Sequence, residues 1–132
     1  MKYNIEQRKE LARQLRKQGL NCCQCVAMAF DDVTGMDHET IKRLAEGFGS
    51  GFGGSQEICG TVSGATMVCG PAYTELDRKD VYGKVKELMD EFGRLEGSCV
   101  CRELKKPGRK PCLELITDMV GLVHTRLESD GK

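Results

Sequence analysis

The sequence predicts an all-α protein, a single compact domain of five or six helices with one glycine-rich loop. Apolar residues recur at helical spacing in most segments, cap-forming residues stand before those segments, and no pair of alternating strand patterns appears. The chain has 132 residues, which is the length of one domain and enough to bury one core, so residues 1–132 are assigned to one cysteine-rich helical domain.

Three helices are predicted in the N-terminal part, each from a start or stop signal. The first spans residues 5–18, because its apolar residues share one face and Gly19 suits the left-handed position after a helix. Asn21 can cap a second helix, over residues 22–30, which is apolar on nearly all sides and is therefore expected to be buried. Asp37 can cap a third, short helix.

Residues 47–54 are glycine-rich, with a glycine at every second position or closer. Each glycine costs a helix or strand interior about 0.5–1 kcal/mol, so this segment is predicted to be a loop. Because glycine lets a backbone approach another group closely, Gly51, Gly53 and Gly54 are candidate contacts to a cofactor. Gly49-x-Gly51-x-x-Gly54 also matches the dinucleotide-binding fingerprint, but no strand precedes it and no βαβ unit surrounds it, so we interpret the match as coincidental.

Residues 58–68 are interpreted as a buried helix that follows the loop. Gly60, Gly64 and Ala65 would let another helix pack closely against it, and Gly70-Pro71 is expected to end it. The small-residue face would also permit a homodimer.

The remaining helices lie in the C-terminal part. One begins after Asp77 and is expected to stop at Gly93 and Gly97, and Cys101 is expected to lie in a short turn. Pro111 suits the first position of a final helix, while residues 105–110 are interpreted as a solvated basic loop.

Composition argues against several classes of partner. Lys plus Arg and Asp plus Glu both number 20, and Trp is absent, so nothing favours nucleic acid. No stretch approaches the roughly 20 apolar residues of a membrane span. The N-terminus is polar and shows no secretory signal, so a cytoplasmic location is expected.

Cysteine is the unusual component of the chain. Without a secretory signal, a high cysteine content favours metal binding or redox chemistry over a disulfide framework. Several thiols fall in predicted first helical turns, where free N–H groups favour the thiolate. Because the thiolate is both the nucleophile and the metal ligand, this placement suits either role. The eight are Cys22, Cys23, Cys25, Cys59, Cys69, Cys99, Cys101 and Cys112.

Several motifs together resemble a known family. They are Asn21-Cys22-Cys23-Gln24, the glycine loop, Cys59-Gly60-Thr61-Val62-Ser63-Gly64-Ala65, Cys101-Arg102-Glu103-Leu104 and Cys112. The pattern resembles the redox-active protein family named for a C-GCAxxG-C-C cysteine pattern. The resemblance implies that Cys22, Cys59, Cys101 and Cys112 are the recurrent cysteines.

The family is similar to the non-haem part of split-Soret cytochromes, where such cysteines have been associated with an iron–sulfur centre. The resemblance therefore implies a [2Fe–2S] site on the four recurrent cysteines. Two departures from the family pattern are visible. The first is Thr61, which stands where the family usually has Ala. The second is a set of four further cysteines, which could serve as resolving thiols or form a second metal site. Of these, Cys25 and Cys69 are expected to fill the core. The four further cysteines are Cys23, Cys25, Cys69 and Cys99.

Three functions stay open at this point. The first is an electron-transfer protein or oxidoreductase with an iron–sulfur cluster, working with a redox partner protein. The second is a thiol–disulfide redox protein without a metal, which would use the same cysteines. The third is a structural zinc module without turnover.

Overall fold

Eight α-helices and one 3-10 turn form the fold in the computed structural model, which describes residues 1–132. The all-α class is confirmed, because the only strand-like pairing is a single bridge between Ile58 and Val100. The elements are α1 (Ile5–Lys17), α2 (Cys22–Met28), α3 (Asp31–Thr34), α4 (His38–Ala45), the 3-10 turn Glu46–Phe48, α5 (Gly60–Ala72), α6 (Arg78–Glu96), α7 (Cys101–Leu104) and α8 (Cys112–Ser129).

The helix count exceeds the five or six expected. Six helices have seven or more residues, and the other two, α3 and α7, are four-residue helices. Single turns of this length carry too few residues to show a hydrophobic period, so the sequence pattern could not separate them from loops.

The predicted start signals are confirmed at three helices. The side chains of Asn21, Asp37 and Asp77 accept hydrogen bonds from the backbone N–H groups three residues further on. These bonds satisfy donors that the first turn of a helix otherwise leaves unpaired. After α1 the chain turns through Gly19 at φ +89°, as the sequence predicts.

Three predicted boundaries were wrong. α5 continues through Pro71 to Ala72, because a proline so close to the end of a helix removes only one late backbone bond. α6 continues through Gly93, because the buried side chains of Leu88 and Phe92 on the same helix outweigh the cost of one glycine, and it ends before Gly97, as predicted. Pro111 is the N-cap of α8 and not its first residue.

The core is built around α2. Every residue of this helix after the first is buried, and the helix packs against α1, α4, α5 and α8. This confirms the expectation that the segment is apolar nearly all round and buried. Cys25 and Cys69 lie in the same hydrophobic core, as expected for cysteines that fill space.

A buried ionic cluster ties α1 to α3 and α8. Arg8 is 0% exposed and binds both carboxylate oxygens of Asp32, at 2.6 and 2.9 Å. It also donates to the carbonyl of Ala29 at 2.7 Å and to Nδ1 of His124 at 3.1 Å. A buried charge is stable only when it is paired and hydrogen-bonded, and Arg8 meets both conditions.

None of the helices combines the length and the apolar character that crossing a lipid bilayer requires.

Candidate functional site

The four recurrent cysteines all stand at helix starts. Cys22, Cys101 and Cys112 are the first residues of α2, α7 and α8, and Cys59 is the N-cap of α5. All four line one small cavity of about 60 Å³, which we call the cysteine cavity. Residues that are far apart in the chain therefore meet at the starts of four helices, whose unpaired N–H groups carry partial positive charge.

Backbone pairing fixes Cys59 and Cys101 relative to each other. The Cys59 N–H donates to the Cys99 carbonyl at 2.8 Å, and the Cys101 N–H donates to the Glu57 carbonyl at 2.6 Å. These bonds flank the bridge between residues 58 and 100. The two cysteines are therefore held in place by main-chain atoms, independently of anything that their sulfurs bind.

Glycines on α5 bring Cys22 to the cavity. A Cβ added to Gly60 would lie 3.0 Å from the Cβ of Cys22, and one added to Gly64 would lie 2.8 Å from the carbonyl oxygen of Cys23. Contacts this short leave no room for a side chain, so the two glycines allow α5 to touch α2. This confirms the prediction that the small residues of the 58–68 segment let another helix pack closely. Asn21 adds a capping box with Gln24 directly before Cys22.

The non-helical segment 49–57 forms one wall of the cavity through Gly51. Gly51 has φ +69°, and an added Cβ would lie 2.6 Å from the Glu57 nitrogen and 2.9 Å from the Cys101 Cβ. Gly53 and Gly54 also have positive φ, but neither lines the cavity. Of the three glycines expected to contact a cofactor, the structure brings only Gly51 to the cysteines.

Two cations complete the lining of the cavity, and no carboxylate is part of it. Arg16 comes from the last turn of α1, and Lys105 follows α7. Neither cation was predicted from the sequence, since Arg16 belongs to an ordinary polar helix face and Lys105 to a segment interpreted as solvated. Their charges make the cavity suitable for an anionic occupant, such as a thiolate or a group bound by several thiolates.

The thiols of Cys22 and Cys112 lie in the cysteine cavity and influence each other's ionisation. Interaction with Cys112, together with burial, raises the pKa of Cys22, while interaction with Cys22 lowers the pKa of Cys112 to about 6. Burial opposes the lowering at Cys112, and the positive charges of Arg16 and Lys105 reinforce it. When the pair loses one proton, that proton therefore comes from Cys112 rather than from Cys22.

Cys59 has a different partner. Burial raises the pKa of Cys59, although a hydrogen bond with the Thr61 hydroxyl, 3.1 Å from its sulfur, opposes that effect. No acidic side chain lines the cavity, so none competes with Cys59 for the Thr61 hydroxyl there.

The four further cysteines lie outside the cavity. Burial raises the pKa of Cys23 to about 12 and that of Cys25 and Cys69 to about 11. The Cys99 thiol donates to the Met89 carbonyl at 3.3 Å. Nowhere does the structure place three or more His, Cys, Asp or Glu side chains so that they could together hold one metal ion.

The comparison with known families agrees with this site. The sequence model of the family described as "Putative redox-active protein (C_GCAxxG_C_C)" matches residues 20–125. The chain belongs to this family. The matched range contains all four cavity cysteines, and it confirms the resemblance seen in the motifs. No curated protein and no solved structure matches the chain. As a C-GCAxxG-C-C protein, the chain is a cysteine-rich member of a family described as redox-active.

The donor set of the cavity fits an iron–sulfur cluster. Clusters are usually held by four cysteine thiolates, and the cavity is lined by four cysteines from four segments, with two cations to offset their charge.

Proposed function

We propose that this protein transfers electrons through an iron–sulfur cluster, in the [2Fe–2S] form, held by Cys22, Cys59, Cys101 and Cys112. The observation that carries the proposal is the convergence of these four thiols, from four helix starts, on one cavity of about 60 Å³. Four thiolates are the usual ligand set of such a cluster, which supplies one-electron chemistry when it is bound.

The other residues of the cavity suit this function. Arg16 and Lys105 offset the negative charge of the thiolates, and the helix starts add partial positive charge. Gly51 and Gly60 allow the main chain to pack closely against the Cβ atoms of Cys101 and Cys22. Leu104 and Leu115 are buried in the cavity wall and limit the access of water, which influences the reduction potential.

Iron and acid-labile sulfide analysis of protein purified without oxygen tests the proposal. About two irons and two sulfides per chain, with a visible absorption spectrum, are expected. Replacing any one of the four cavity cysteines with Ser should lower the iron content, whereas Cys99→Ser should not. A wild-type protein that holds no iron, even after reconstitution with iron and sulfide, would overturn the proposal.

A second candidate function is supported by the interaction between the Cys22 and Cys112 thiols, which line the same cavity and shift each other's pKa. In the metal-free protein, the Cys112 thiolate would attack a disulfide of a partner protein and release one partner thiol. The Cys22 thiol would lose its proton and attack the mixed disulfide, which releases the second partner thiol and leaves a Cys22–Cys112 disulfide. Two electrons and the proton of Cys22 thus pass to the partner, and the second partner thiolate takes its proton from water.

Free-thiol counting and peptide mapping separate this candidate from the first. A colourless protein that loses two thiols on oxidation and yields a peptide pair linked through residues 22 and 112 would favour it. An unchanged thiol count would exclude it. The cytoplasmic location, the redox partner protein and the homodimer expected from the sequence stay predictions.

A further inference from the structure

Thr61 is a fully buried polar residue beside the cysteine cavity. Its side chain is 0% exposed, and its hydroxyl oxygen lies 3.1 Å from the Cys59 sulfur. The hydroxyl makes no other hydrogen bond within the protein. A buried hydroxyl without a partner would cost free energy, so its orientation toward this sulfur is a property of the fold.

The position of Thr61 in α5 explains this orientation. Later in the same helix, the Thr66 hydroxyl donates to the carbonyl of Val62 at 2.8 Å, the common arrangement inside a helix. The equivalent carbonyl for Thr61 belongs to Glu57, which precedes the helix and accepts the N–H of Cys101. The Thr61 hydroxyl is thus left to face Cys59.

We propose that Thr61 is a positioning residue that tunes the reduction potential of the centre through the Cys59 sulfur, an inference that rests on the proposed function. A thiolate sulfur has no proton to give, so the Thr61 hydroxyl donates to it. A hydrogen bond to a ligand sulfur stabilises the more negative, reduced state and raises the potential.

A redox titration of anaerobically purified protein, with dithionite supplying one electron per centre, tests this proposal. Thr61→Val keeps the shape of the side chain and removes the hydroxyl, Thr61→Ser keeps the hydroxyl, and Thr66→Val is a control on the same helix. We expect the midpoint of T61V to move to more negative potential, equivalent to an about two- to tenfold lower equilibrium constant for reduction. T61S and T66V should stay near the wild type.

Iron and sulfide content, measured on the same samples, separates the possible failures. A T61V midpoint equal to that of the wild type, with full iron content, would overturn the role of Thr61 and leave the cluster intact. If circular dichroism shows that T61V does not fold, Thr61→Ala removes the same hydroxyl without adding bulk. The reduction midpoint of T61A then tests the role of Thr61 in the same way.

If the wild type holds no iron, the proposed function fails and the Thr61 contact is judged on the metal-free chain. Iodoacetamide should then modify Cys59 about two- to tenfold more slowly in T61V than in the wild type, because the thiolate has lost its donor. The rate is read by peptide mass spectrometry, with Cys99 in the same sample as the reference. Equal rates would refute the contact.

Discussion

Replacing Gly51 with Ala should damage the site more than the same change at Gly53. Both glycines have positive φ, +69° and +62°, which costs an alanine roughly 1–2 kcal/mol. At Gly53 the nearest atom to an added Cβ is 3.8 Å away, so this backbone term is the whole effect. At Gly51 the added Cβ would lie 2.6 Å from the Glu57 nitrogen, and overpacking of this kind adds about 1–3 kcal/mol.

The expected loss of unfolding free energy is therefore about 2–5 kcal/mol for Gly51→Ala and about 1–2 kcal/mol for Gly53→Ala. Urea denaturation followed by circular dichroism measures both. The methyl of G51A would also lie 2.9 Å from the Cys101 Cβ, so iron content should fall in G51A and not in G53A. Equal losses of stability and of iron in the two variants would refute the tight contact at Gly51.

Three further predictions follow from the buried charges and the cavity cations. Asp32→Asn leaves the guanidinium of Arg8 buried without a counter-ion and should lower the unfolding free energy by about 3–5 kcal/mol in urea denaturation. Stability should also fall on acidification. Burial and the nearby Arg8 lower the pKa of His124, and at Asp32 hydrogen bonds from Arg8 and the Lys2 N–H outweigh burial and lower the pKa. A group whose pKa is lower in the folded than in the unfolded protein stabilises the fold at pH values above its unfolded-state pKa. This stabilisation is lost as the pH falls through the folded-state pKa. The decline should begin below about pH 6.5 for His124 and continue below about pH 4 for Asp32. In the metal-free chain, the rate of Cys112 alkylation should reach half of its plateau near pH 6, and Lys105→Gln should move that midpoint to higher pH.

Each of these predictions has a matched control. Glu10→Gln removes one acid of an exposed ion pair on α1 and should leave unfolding unchanged where D32N does not. His124→Gln should flatten the first part of the pH profile, and a profile that stays unchanged would contradict the assignment. Lys86→Gln removes an exposed cation from α6, outside the cavity, and should leave Cys112 reactivity unchanged. A K105Q effect no larger than that of K86Q would show that Lys105 does not act on the thiolate.

Local signals were sufficient for most of the fold. Asn21, Asp37 and Asp77 mark helix starts because the bonds that they make reach only three residues along the chain. The boundary predictions at Pro71 and Gly93 were wrong because they considered only the local cost of these residues. Their local cost is fixed, but packing partners from elsewhere in the chain decide whether the helix continues past them.

Only part of the cavity could be predicted from the sequence. Family resemblance singled out the four recurrent cysteines, and the structure places them together. What brings Cys59 beside Cys101 is one backbone bridge between segments that have no strand pattern. Arg16 and Lys105 come together at the cavity only in the folded chain, and neither composition nor spacing predicts this.

A cavity assembled from four helix starts has a consequence for the order in which the protein matures. Cys112 begins the last helix, so the fourth cavity cysteine joins the other three only when α8 has packed against α2 and α5. An occupant bound by all four cysteines would therefore require α8 in its packed position. It would also link α8, through the sulfurs, to the backbone bridge that already holds Cys59 and Cys101.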